Sequence, residues 1–490
     1  MSAFSDTLSQ YISDKNIKVY SMAKYCDTDR STMYKFISGK RNAPSMEILQ
    51  KMGQFMHLTP LEWQKLKESW DIARIGADVY YKRKSVESFI CNFPDQPSAE
   101  LCSCSFTPDV TYIENRTDCI SLTSQQHINY YVHQMILSEA DRGSGEIQLF
   151  LQPDYKFLFN LLASLNPSGS LKISQIICVG TETTFTDDHQ LINLKYLHSV
   201  FPLYMAGHDY SLYYYYDNIE SHYQSFNLYP CMILTSDEAL LCSSDYQTGI
   251  FFRSGEVLRM LKNLYISYQE QCTLFFTPAP LTPENHAVVI GSMFDSDFAE
   301  NDLLGIQPES CLTPFFTGTL LREMFNHDLP NADAILAMAE QAFQMNMDKI
   351  KNQQFFIYST YEGLLQFVRS GRTDEIPEVF YHPLTTEQRI QVLEGVCACC
   401  ESGAYRFLQK PLNHLPGNLH FCIRGNSGTM IFKNNAGEIF VLNIEETKLV
   451  EVFRDYLENM EESCFYSKEE SVAMIRQIID YLKKERTETE

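Results

Sequence analysis

Met22-Ala23-Lys24-Tyr25-Cys26-Asp27-Thr28-Asp29-Arg30-Ser31-Thr32-Met33-Tyr34-Lys35-Phe36-Ile37-Ser38-Gly39-Lys40-Arg41, followed by Pro44-Ser45, is the stretch on which the reading of this chain turns. A short helix carries Met22 and Ala23, and Cys26 closes its apolar side. Asp27 makes a turn, and Asp29 is placed as the N-cap of a helix from Arg30 to Ser38, because its carboxylate can accept from amides of the first helical turn. That helix turns Met33, Phe36 and Ile37 inward, and Gly39 stops it. The small Ala23 lets the two helices cross closely, while the apolar residues at 33 and 36 fill the angle between them.

Outward from this pair the helical pattern continues in both directions. Phe4, Leu8, Tyr11 and Ile12 fall on one face of an amphipathic helix. After the basic loop Lys40-Arg41-Asn42, a fourth helix from Ser45 buries Ile48, Leu49, Met52, Phe55 and Met56. Thr59-Pro60-Leu61-Glu62 is a capping box with proline at the first helical position, and it opens a fifth helix that holds both tryptophans, Trp63 and Trp70.

Five short helices with an alanine in the second and a serine/threonine-rich third resemble the Cro/CI (XRE) family of helix-turn-helix transcriptional regulators, over roughly residues 3–75. The resemblance implies that the third helix enters the DNA major groove. By position, Arg30, Ser31, Thr32 and Lys35 would face base edges with Tyr34 beside them, and Lys40 and Arg41 would neutralise phosphates. It also implies a homodimer on paired half-sites. Two positions depart from the pattern. Asp27 stands where the family has glycine, and Asp tolerates the left-handed conformation better than most residues. Val19 stands where the family often has a DNA-contacting glutamine, so one contact is missing.

A net charge of −23 over 490 residues is unfavourable for a DNA-binding protein until it is divided. Residues 1–90 carry a net +4 and the remainder −27, so only the N-terminal part can approach a phosphate backbone favourably. With 44% hydrophobic and 21% charged residues the chain is a folded one of about three domains. It has no apolar run of the roughly 18 residues a membrane helix needs and no signal-peptide pattern at its start, so a cytoplasmic location without membrane contact is expected. Fifteen scattered cysteines are expected to be reduced thiols. Cys102/Cys104 and Cys397/Cys399/Cys400 lack zinc spacing.

Residues 82–110 change character, from the charge run Lys82-Arg83-Lys84 to turn-rich sequence around Pro94, Pro97 and Pro108. The expected organisation is an all-α DNA-binding domain at 1–75, a linker at 76–115, an α/β lobe at 116–275, a helical connection at 276–350, a second α/β lobe at 351–465, and a C-terminal helix and tail at 466–490. The fold class is therefore multidomain, a five-helix domain followed by a large α/β region. Strand and helix order from Ile147 to Gln271 is echoed from Gln353 to Met460, which suggests a degenerate duplication. Two such lobes resemble the phospholipase D architecture, used in some regulators as a sensor. The enzymes of that family need His-x-Lys in each half, and none of the twelve histidines here is followed two residues later by lysine. No catalysis and no cofactor or metal are expected.

Other candidates compete with plainer readings. His414, His420 and Cys422 lie close in sequence, either as metal ligands or as a polar loop entering a strand. The Tyr213-Tyr214-Tyr215-Tyr216 run either lines a ligand pocket with Tyr204, Asp209 and Asp217 or is an ordinary aromatic strand. Helices near Leu320–Phe325 and Ala332–Ile350 would pack the lobes together or form a dimer surface. The favoured function is a DNA-binding transcriptional regulator whose α/β part senses a small-molecule ligand or self-associates. The competing functions are an enzyme or effector in residues 110–490 that the helix-turn-helix targets or autoregulates, and an interaction scaffold.

Overall fold

The computed structural model describes residues 2–93, 118–165, 170–180, 185–186, 189–218, 228–286, 289, 300–373, 375–416, 419–444 and 446–489. Cys102, Cys104 and most of the expected linker lie outside these residues. Two compact units result, Met1–Ser85 with Asp187–Gln190, and Val86–Thr186 with Leu191–Glu490.

The first unit is helical. Its helices are α1 (Ala3–Asp14), α2 (Val19–Tyr25), α3 (Arg30–Ile37), α4 (Met46–Phe55), α5 (Pro60–Ile75) and the start of α6 (Ala77–Cys91). Leu8, Met22, Met33, Leu49, Met52 and Leu66 are fully buried at its centre, which matches the periodic positions of the sequence. Thr59 and Glu62 form the capping box on α5 with Pro60 inside it, and the Trp70 indole N–H donates to the Pro44 carbonyl at 2.7 Å. Helix α6 occupies the beginning of the segment read as linker. Its apolar stripe Val86, Phe89, Ile90 and then Phe93 belongs to the core of the second unit, so burial outweighs the charge run that precedes it.

The second unit contains two mixed sheets. The first lobe runs β1 (Cys119–Leu122), α7 (Gln125–Ala140), β2 (Ser144–Phe150), α8 (Lys156–Ser164), β3 (Ser170–Gly180), α9 (Ile192–Met205), β4 (Asp209–Asp217), β5 (Cys231–Leu234), β6 (Ala239–Cys242), β7 (Gly249–Phe252), α10 (Gly255–Gln269) and β8 (Thr273–Leu274). The second runs β9 (Phe276–Pro280), β10 (Leu303–Gln307), α11 (Gly318–Met324), α12 (Ala332–Lys351), β11 (Phe355–Thr360), α13 (Tyr361–Ser370), α14 (Thr386–Ser402), β12 (Tyr405–Leu408), β13 (His420–Arg424), β14 (Ser427–Lys433), β15 (Ile439–Ile444) and α15 (Thr447–Glu458), and α16 (Lys468–Thr489) closes the chain.

Strand order makes the duplication explicit. The first sheet is β1-β7-β6-β5-β2-β3-β4-β8 and the second, read in the same sense, is β9-β15-β14-β13-β10-β11-β12. β2, β3 and β4 are parallel, as are β10, β11 and β12, and every other pairing is antiparallel. Apart from the two-residue β8, each strand of one sheet has a counterpart in the other. The repeat therefore starts at β9 and β10, inside the segment 276–350 read as a helical connection, and β11 answers to β3 rather than to β2. β10 escaped because Leu303-Leu304-Gly305-Ile306-Gln307 is buried at every position and shows no alternation. A short echo survives where the first parallel strand of each lobe ends: Leu151-Gln152-Pro153-Asp154 and Ile306-Gln307-Pro308-Glu309.

The second sheet is buried on both faces. Leu304, Ile306, Phe421, Ile423, Met430, Phe432, Leu442 and Ile444 share one core with Ile177, Val179, Tyr204, Tyr210 and Leu212 of the first lobe. Leu303, Phe355, Ile357, Tyr405 and Phe407 point the other way, into a core made with α11, α12, α13, α14 and α16. Helix α12 thus covers the far face of the second sheet rather than lying between the lobes. The lobes are also tied by the fully buried Glu446, which caps α15 through the Lys448 and Leu449 amides and accepts from the Tyr216 hydroxyl of β4. Among the described residues no helix is long and apolar enough to cross a membrane.

The first turn of α13 rests directly on the Gln-Pro-Glu turn. A Cβ on Gly363 would meet the Pro308 carbonyl oxygen at 2.2 Å and the Glu309 Cα at 2.6 Å, both backbone atoms with nowhere to go. Gly363→Ala is expected to destabilise the second unit by about 1–3 kcal/mol. Gly255→Ala, where a Cβ meets nothing within 4 Å, is expected to leave it unchanged or slightly more stable. Calorimetric melting of the two variants beside the parent checks this.

Candidate nucleic-acid interface

Helix α3 is built to present one side. Asp29 caps it, its carboxylate accepting from the Thr32 amide at 2.8 Å, and the hydroxyl and amide of Thr32, followed by those of Ser31, hold that carboxyl below the usual carboxylate range. Met33 and Phe36 are 0% and 4% exposed and anchor the helix to α1 and α2. With those positions inside, 30, 31, 34 and 35 must face out, and Arg30, Ser31, Tyr34 and Lys35 are exposed.

The turn before α3 uses the substitution read from sequence. Asp27 takes φ +50°, and its carboxylate reaches the Lys51 ammonium of α4 at 3.0 Å. Gly39 after α3 takes φ +68° and sends the chain into the Lys40-Arg41 loop, both of whose basic residues are exposed. Arg41 folds back over α3: its guanidinium lies 5.5 Å from the Phe36 ring and donates to the Thr32 hydroxyl at 3.0 Å. Arg30 lies 5.5 Å from the Tyr34 ring. The seven residues singled out from sequence are thus gathered on α3 and the adjoining loop. Thr32 differs from the rest in being half-buried with its hydroxyl already engaged.

Val19 opens α2 half-buried against the core. Beside it Tyr20 is 65% exposed. Sequence reading passed over Tyr20 because the resemblance pointed to position 19, and its signal is that of a large aromatic left outside an apolar helix stripe. In the triplet of α6, Lys82 pairs with Asp78 at 3.6 Å.

The other candidates separate. His414 is exposed and 3.3 Å from Glu362, His420 is buried 3.5 Å from Glu375, and Cys422 is half-buried. Among the described residues no three His, Cys, Asp or Glu side chains gather as a metal ion would require. The tyrosine run does not line a common pocket. Tyr204, Tyr210 and Tyr214 are packed solid in the core between the lobes, Tyr213 and Tyr215 face the opposite side of the sheet, and Asp209 and Asp217 are exposed at its two ends. Alternation of side chains along β4 divides the phenols between two layers.

No protein-family model matches this chain. No curated protein matches it either. Solved structures that overlap it include TrmBL2, an archaeal chromatin protein that shows a novel mode of DNA binding, at 13% identity over 52% of this chain and 87% of that one, with a TM-score of 0.21. Another is phosphatidylserine synthase from Haemophilus influenzae, at 9% identity over 76% of this chain and 94% of that one, with a TM-score of 0.25. Overlaps at such scores carry no argument about fold or activity.

Both tryptophans of the chain lie in the first unit, so their fluorescence reports its unfolding alone. Asp27→Val places a β-branched residue at φ +50° and is expected to cost about 1–2 kcal/mol for the left-handed conformation, beyond the lost contact with Lys51. Asp27→Gly, which suits that φ, is expected to be the more stable of the two variants when they are compared by tryptophan fluorescence in denaturant.

Proposed function

We propose that this chain is a sequence-specific DNA-binding transcriptional regulator of the Cro/CI helix-turn-helix type, acting as a homodimer. Residues 1–75 bind the operator, and the α/β body regulates that binding. One observation carries the reading: a capped helix whose inner side is locked into the core leaves Arg30, Ser31, Tyr34 and Lys35 exposed together, next to the exposed Lys40-Arg41 loop. Arginine at the start of such a helix can grip guanine with two hydrogen bonds, while the loop positions the protein on phosphates. The charge division supports the same reading, since the acidic body discourages non-specific contact with DNA.

The body is read as a regulatory module rather than a catalyst, because the His-x-Lys pairs of the phospholipase D enzymes are missing from both halves. Selection of sites from random duplexes with the full chain is expected to enrich one sequence with two related half-sites about one helical turn apart. The double variant Arg30→Ala, Lys35→Ala is expected to bind that sequence at least about tenfold more weakly at fixed salt. An unenriched pool, or a double variant that binds as well as the parent, overturns the proposal.

A further inference from the structure

Behind the second sheet, on the side away from the first lobe, lies a cavity of about 220 Å³. Its floor is the sheet, with Leu303, Phe355, Ile357, Cys422 and Arg424, and its roof is α11 and α12. Helix α12 turns Ile335, Met338, Ala339, Ala342, Phe343 and Asn346 toward it, a helical stripe in which two alanines fall at the centre. Those alanines create the space: larger side chains at 339 and 342 would fill it. Phe316, Phe325 and Phe380 complete aromatic walls.

One part of the lining is polar. Glu375 lines the cavity; its Oε1 accepts from the Gln307 amide at 3.1 Å and lies 3.5 Å from His420 Nδ1, while Oε2 has no hydrogen-bond partner. Both ring nitrogens of the buried His420 also lack hydrogen-bond partners. Burial works to raise the Glu375 carboxyl, but His420, Cys311 and Gln307 outweigh it and hold the group below the usual carboxylate range. Oε2 is sealed away from the cavity, so the acceptor open to a donor there is the second acceptor site of Oε1, beside the hydrogen bond from Gln307. A buried acceptor left unmatched is costly, so acceptor capacity at the edge of an apolar cavity selects a donor.

We infer that this cavity binds a small, neutral, mostly apolar molecule of about one ring that carries a single hydroxyl, with the hydroxyl donating to Glu375. Size fixes the first part, since an apolar cavity of about 150 Å³ takes up benzene and this one is larger. Neutrality follows because the lining already contains a carboxylate and the guanidinium of Arg424, so a ligand charge would have to be buried in addition. The site lies in the regulatory body, and only its role as a signal for DNA binding rests on the function proposed above.

The test uses the full chain without DNA and p-cresol against toluene, which differ by one hydroxyl, with dissociation constants from calorimetric titration. p-Cresol is expected to bind, and at least about tenfold more tightly than toluene. Glu375→Gln is expected to shrink that preference, and Ala342→Phe, which fills the space, to abolish binding of both. If Ala342→Phe fails to fold, Ala339→Met serves in its place. Absence of p-cresol binding to the parent, toluene binding as tight as p-cresol, or undiminished p-cresol binding in the filled variant each overturns the inference. Failure of operator selection would leave all of these outcomes readable, because none of them involves DNA.

Discussion

The second sheet must be buried on both faces, and most of the large unit follows from that requirement. Its strands alternate between two destinations: Phe421 and Ile423 enter the core shared with the first lobe, while Cys422 and Arg424 point to the other side. A strand in that position cannot carry a solvated face, so its polar groups either sit at strand ends and find partners or line enclosed space. Gln307 at the end of β10 and Arg424 at the end of β13 are buried polar groups of this kind. The shared core, not the linkers between elements, is what makes the two lobes one body.

Within that body the lobes keep one strand order but have diverged in what covers them. In the first lobe Tyr204, Tyr210 and Tyr214 fill the space against the sheet with aromatic rings, the first two 5.1 Å apart between centroids. In the second, α12 offers alanines, and a cavity remains. An apolar molecule that binds there and not to the unfolded chain stabilises the body by mass action.

The helical unit was legible because each of its decisions is local. Asp29 as a cap, the Thr59…Glu62 box and the 3.6-residue stripes all concern residues a few positions apart, and the structure places helices where they indicate. The sheets were legible only in part. β4 and β11 could be read from composition, but β10 could not, since a strand buried on both faces has no period. Misplacing that one strand shifted the second repeat by about fifty residues and turned β9 and β10 into a helical connection. The Glu375–His420 pair and the cavity were hidden for another reason: their residues come from β10, α12, β13 and the loop between α13 and α14, brought together only by the crossovers between parallel strands. His420 could be singled out from sequence, but its partner Glu375 stands 45 positions away.

For the helical unit the physics reduces to one side of one helix. Met33 and Phe36 fix which way α3 faces, Asp29 and Gly39 set where it starts and stops, and Asp27 in a left-handed turn joins it to α2. Arg30, the first residue of α3, is the proposed base reader. The measurement that tests it directly is a comparison of the parent with Arg30→Ala on the selected operator and on duplexes carrying each single base-pair change. If Arg30 reads a base, the parent loses about 1–3 kcal/mol at one position of each half-site, the variant shows no preference there, and preferences elsewhere persist. A variant that keeps every base preference of the parent would contradict it.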